Sequence, residues 1–239
     1  VFRMGLGVIN SLPWVGPVVV NEIFYDGERA VNGGGASLDR FEYVALFNRS
    51  SDAVELSVSS DSEIGWRLAG GIDYTFQGDV ALRAGGEIVL VNFDPSLDLS
   101  QKRAFQEAFA LPSDALLVGP FMGRLGNDGD RLRLQRLDRL PSVANPNEGD
   151  LVWLEEDRVD YRTESPWPNI LPEPNQALSR VDLEAYGNDP ANWNYADARP
   201  GHSGGPAGPT VGDPMITGIE LGDGKITLRV SIEAGRRYR

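Results

Sequence analysis

The sequence predicts an all-β fold, an antiparallel β-sandwich with one short helix in a connection. Three observations carry this. Short runs of β-branched and aromatic residues recur along the chain, Gly, Asp, Asn and Pro separate them, and a single segment has helical spacing. Around ten such runs with one helix suit two packed antiparallel sheets.

The elements follow in chain order. Residues 18–25 (VVVNEIFY) form the first strand, and a glycine-rich loop follows at 32–36. Residues 41–48 (FEYVALFN) form the second, with Phe41, Tyr43, Ala45 and Phe47 expected on one face. Shorter strands are read at 54–58, 66–68 and 73–76, and residues 87–92 (EIVLVN) make another after a turn at Gly85 and Gly86. Residues 99–110 space Leu99, Phe105 and Phe109 as a helix does, with Ser100 as the expected N-cap and Pro112 as the stop. Asp128-Gly129 predicts a tight hairpin turn with positive φ. Residues 131–136 then alternate Leu132 and Leu134 with polar neighbours, one face buried and one wet. Residues 151–154 and 158–161 read as a strand or strand pair, and 176–181 as the last strand of the module.

Composition shifts mark the boundaries. Residues 1–17 read as a leader or the end of a preceding domain, and 18–201 as the sandwich. Residues 202–214 have linker composition, and 215–239 alternate again as the truncated start of a second β domain, with a turn at 222–224. The chain does not begin with Met and stops within a strand pattern, so a piece of a longer protein is expected. No stretch reaches the roughly 18–20 apolar residues of a membrane-spanning helix.

Charge and residue usage narrow the chemistry. The formal net charge is -13, which disfavours nucleic acid as a partner and leaves basic proteins, cations and neutral glycans. The absence of cysteine excludes disulfides and thiolate chemistry. A histidine zinc site or a Ser-His-Asp triad would need His202, the single histidine, which lies in the linker composition.

Five motifs in order bring a resemblance. VVVNEIFYDG, FEYVALFNRSSDAVELS and WRLAGGIDYTF resemble the opening of the lamin-tail domain. GPFMGRLGNDGDRLRL with VDYRTESPWP resembles its second half, and ALSRVD followed by YGNDPANW and a closing PG resembles its end. The match runs from about Val18 to Gly201. It implies an immunoglobulin-like sandwich in a bacterial, exported setting, where such domains accompany surface proteins, nucleases and spore-coat-type kinase domains. The chromatin-binding role of the animal members is not carried over, because the charge here opposes DNA. The family's second strand usually carries two acids. Here Glu42 holds the first acidic position and Ala45 replaces the second.

Candidate chemistry is weighed against plain structure. Asn21 and Glu22 interrupt an apolar strand, and a buried carboxylate needs a partner. Glu22, Glu42 and Asp160 could together hold Ca²⁺ with oxygen ligands from separate strands. Alternatively Glu22 meets an arginine or backbone N–H groups, as most buried polar groups do. Gly33, Gly34 and Gly35 lack the Lys-Ser/Thr and the helix of a phosphate cradle and read as a surface loop. Trp66, Trp153, Trp167 and Trp193 would form a sugar platform if exposed on one face, whereas burial is the usual fate of such residues. Loops 26–40 and 137–150 are long enough to carry contacts.

The expectation is a non-catalytic extracellular or cell-surface module that binds or spaces other things, with a surface protein or glycan as partner. Two alternatives stand beside it. One is a calcium-stabilised adhesion domain, and the other is an accessory domain of an extracellular nuclease or kinase-like enzyme.

Overall fold

The computed structural model describes residues 14–25, 41–112, 114–139, 151–169 and 175–202, and the backbone of Met215–Gly222 and Lys225–Ser231. The loop at 26–40 with its glycines, residues 140–150 of the second long loop, most of the linker and the turn at 223–224 lie outside them. The chain divides into two compact units, Val1–Pro206 and Ala207–Arg239.

The first unit is an all-β sandwich. One sheet contains β1 (Val18–Phe24), β2 (Tyr43–Asn48), β7 (Glu87–Val91), β8 (Leu116–Val118), β12 (Gln176–Arg180) and β13 (Trp193–Asp197), in the order β13-β12-β1-β2-β7-β8. Its pairings are antiparallel except β7 with β8. The other sheet orders β11 (Leu151–Arg162), β10 (Gly129–Arg139), β4 (Asp61–Gly70), β3 (Val54–Val58) and β6 (Val80–Leu82), with β5 (Ile72–Thr75) on β4 and β9 (Met122–Gly123) on β5. In the second unit, β14 (Met215–Gly222) and β15 (Lys225–Ser231) pair antiparallel.

Two apolar layers hold the sandwich. Between the sheets, Val20, Ile23, Leu46, Trp66, Leu132, Leu134 and Val159 pack together. On the outer face of the first sheet, Phe24, Phe41, Tyr43, Ala45, Val89 and Val91 pack against Phe105 of α1 (Leu99–Ala108) and against its C-cap residue Phe109. The central strands β1, β2 and β7 are therefore buried on both faces, which is why they read as nearly continuous apolar runs. This extends the one-faced reading of the second strand: Val44 and Leu46 face the inter-sheet layer while Phe41, Tyr43 and Ala45 face the helix. Phe105 is fully buried, with its ring edge-on to Phe41 at 5.3 Å and to Tyr43 at 5.8 Å.

Several local expectations are corrected. The N-cap of α1 is Asp98, not Ser100: Asp98 Oδ1 accepts from Gln101 N at 2.9 Å, and Ser100 Oγ donates to the same oxygen. Leu99 is exposed rather than part of the buried stripe. Gly129 has φ +132° and its N–H closes a turn on Gly126 O, but the flanking strands do not form a hairpin, because β9 pairs with β5 and β10 with β4 and β11. The two runs at 151–161 are one strand whose bulge puts Glu156 out of register with β10. β12 is not the last strand of the sandwich, since β13 adds to its edge. The turn at Gly85, with φ +63°, carries the chain from β6 in one sheet to β7 in the other.

Candidate functional site

The site grows from an irregularity in β1. A register shift between Val20 and Glu22 puts Asn21 in a bulge, and both polar side chains are then buried beside the helix-covered layer. Glu22 lies opposite Ala45 of β2, and Ala45 lies opposite Val89 of β7. One step along, Phe47 of β2 faces Glu87 of β7. The second buried acid of this region is thus Glu87, across the sheet from Glu22. Sequence reasoning missed it because an acid that opens a strand reads as a solvated strand end.

Both carboxylates are fully partnered. Glu22 Oε1 accepts from the Tyr43 hydroxyl in a short contact and from Arg199 N at 3.1 Å, while Oε2 accepts from Ser179 Oγ at 3.3 Å. Glu87 Oε1 accepts from Gly201 N at 2.6 Å, and Oε2 from Asn21 Nδ2 at 3.0 Å. Burial pushes the Glu22 carboxyl up to about 7, against the pull of these donors. Burial and then the neighbouring Glu22 charge push Glu87 up to about 8. Burial raises the Tyr43 hydroxyl well above its usual range, so it stays a donor. The pair can hold protons near neutrality and fasten residues 199–201 to the sheet. Each of the two acids is only 7% exposed.

The three residues expected to share a calcium ion do not come together. Glu22 lies beside the helix-covered layer. Glu42 sits at the rim of the inter-sheet layer, where Oε1 takes Arg124 Nε and Oε2 takes Leu125 N, each at 2.9 Å. Burial raises its pKa. Asp160 lies on the outer face of the second sheet, paired with Arg131 at 3.1 Å and in a short contact with Arg158. Against the upward pull of partial burial, Arg158 and Arg131 hold its carboxyl below the usual range. Two sheets about 10 Å apart separate Asp160 from Glu22. Among the described residues, no three of His, Asp and Glu are grouped to hold a metal ion.

The aromatic candidates are also dispersed. Trp66, Trp167 and Trp193 are buried in the inter-sheet layer, with Trp167 and Trp193 6.4 Å apart. The ring of Trp153 is covered by the Arg67 guanidinium at 4.3 Å. An open groove of about 310 Å³ adjoins Trp66, with Val54, Ile64 and Leu137 in its lining and the Arg139–Glu63 ion pair beside them. His202 Nδ1 lies near the carbonyls of Arg199 and Pro200. Searches against family models, curated proteins and solved structures find no match to this chain.

Proposed function

We propose that the chain is a non-catalytic binding or spacer module of a larger bacterial surface or secreted protein, of the lamin-tail type. One observation carries this reading. Of the five buried acids among the described residues, four accept a main-chain N–H from another element, Glu22 from Arg199, Glu87 from Gly201, Glu42 from Leu125 and Asp157 from Val20, and the fifth, Glu156, takes the Trp14 and Arg136 side chains. These carboxylates fasten segments to the scaffold, whereas a general acid or base must reach the proton it moves. The order of the motifs between Val18 and Gly201 supports the lamin-tail part of the reading. An accessory role beside an extracellular nuclease or kinase-like domain is the same reading in a different parent protein.

The test pairs binding with turnover. The chain is applied to arrays of surface proteins and glycans, and separately to phosphodiester, nucleotide and glycoside substrates. Saturable binding without turnover is expected. Turnover that disappears in Glu22→Gln or Glu87→Gln would overturn the proposal.

A further inference from the structure

The two outer faces of the sandwich differ. Over the first sheet, α1 covers an apolar layer. On the second sheet, Trp66, Leu68, Leu132, Leu134, Val159 and Tyr161 point into the inter-sheet layer, so the alternate residues face outward. Those residues include Arg67 on β4, Arg131 and Arg133 on β10, and Arg158 and Arg162 on β11, with Glu155 and Asp160 between them. Five arginines against two carboxylates give this stretch the opposite sign to a chain of net charge -13, with Asp73 of β5 at its margin.

The register sets the spacing. Successive rungs are Gly129 with Arg162, Arg131 with Asp160, Arg133 with Arg158, and Arg67 with Gln135 and Glu155. Each rung is two residues from the last along β10, about 6.8 Å. Arg133 stands directly opposite Arg158, an arrangement that costs a sheet stability rather than adding to it. Asp160 engages Arg158 and Arg131, but Arg133 has its carboxylate neighbour, Glu155, only at 3.6 Å. The side chain of Arg162 makes no hydrogen bond or ion pair among the described residues. Arg131 and Arg133 keep 54% and 39% of their side chains exposed, and a guanidinium carries five N–H donors, so donors remain free along the rungs.

We infer that this face, centred on Arg131, Arg133 and Arg162, docks an acidic polypeptide segment in extended form with carboxylates at alternate positions. An extended chain presents every second side chain to one side at about 6.8 Å, the same repeat as the arginine rungs. Guanidinium forks take carboxylates in bidentate pairs, which rewards that match. The inference rests on the binding-module reading and names its face and its partner.

The experiment uses the whole chain and fluorescence anisotropy. The probes are a labelled peptide alternating Glu and Ser, one of equal composition with its Glu residues in a block, and an oligouronate of equal charge. At low salt the alternating peptide binds saturably and more tightly than the other two. Binding weakens at least about tenfold on moving to physiological salt or in Arg133→Gln/Arg162→Gln. Arg103→Ala, on the exposed side of α1, leaves it unchanged, and a melting curve confirms that each variant is folded. Absence of saturable binding, equal affinity for the block peptide, tighter binding of the oligouronate, or an equal loss in Arg103→Ala overturns the inference. A partner found on the arrays that the Arg133→Gln/Arg162→Gln variant still binds equally well would overturn the assignment of this face and leave the module reading standing.

Discussion

Asp157 and Arg180 form a buried ion pair that ties the two sheets together, with Arg180 Nη1 2.6 Å from Asp157 Oδ2 and neither side chain more than 1% exposed. Asp157 belongs to β11 and Arg180 to β12, so the pair crosses the inter-sheet layer. Its remaining hydrogen bonds go to main chain: Val20 N donates to Asp157, and Arg180 donates to the carbonyls of Val20 and Ala185.

Removing one partner leaves the other charged, buried and alone. Asp157→Asn or Arg180→Met should each cost about 3–5 kcal/mol. The double variant Asp157→Leu/Arg180→Met should cost much less than the sum, because no stranded charge remains. Urea denaturation midpoints measure all three. Additive losses would contradict a coupled pair.

Glu22 and Glu87 make stability depend on pH in a stated direction. Their folded pKa values, about 7 and about 8, lie above the ordinary 4.5, so folding takes up protons. The stabilisation is full below about pH 4.5 and is lost as pH rises through 7 and 8. The melting temperature should therefore be higher near pH 5 than near pH 9. Glu87→Gln should flatten the profile, since it removes the later titration, which the Glu22 charge helps to push up. A wild-type melting temperature that does not change over this range would refute the assignment.

Phe105 anchors α1 over the first sheet, and Phe105→Ala should destabilise the chain by about 3–5 kcal/mol. Asp98→Ala, which removes only the N-cap, should cost about 1 kcal/mol. Hydrogen exchange should show α1 losing protection in both variants, and more in Phe105→Ala. Equal effects would mean that the helix is held by its cap rather than by its aromatic face.

Millimolar Ca²⁺ should leave the melting curve where chelator leaves it. Binding to the folded state would raise it by mass action, but Glu22, Glu42 and Asp160 are held in three separate places by Arg199, Arg124 and Arg131. A concentration-dependent rise would contradict this geometry.

The legible parts of the fold were those with a local signature. Leu132 and Leu134 alternate with arginine and glutamine, so β10 was readable as a half-buried strand. VVVNEIF was readable as a strand, but its second covered face depends on Phe105 and Phe109, which reach it only in the folded chain. Three-residue strands such as β6 and β8 carry too few positions to show a period. The buried polar logic was visible at Glu22, which meets a backbone N–H as one alternative expected. It was not visible at Asp157, whose neighbours in sequence are also charged and whose partner is set by packing.

The fastening of residues 199–201 also governs how the sandwich answers mechanical load. Tension entering from the C-terminal side meets the turn bond from His202 N to Arg199 O, then Gly201 and its bond to Glu87, then Arg199 and Glu22, and only afterwards the bond from Ala198 N to Asn175 O and the ladder of β13. The exit of the chain is thus a fuse of two N–H to carboxylate bonds in front of a zipper, and a tug that breaks it wets two acids before any strand is peeled away.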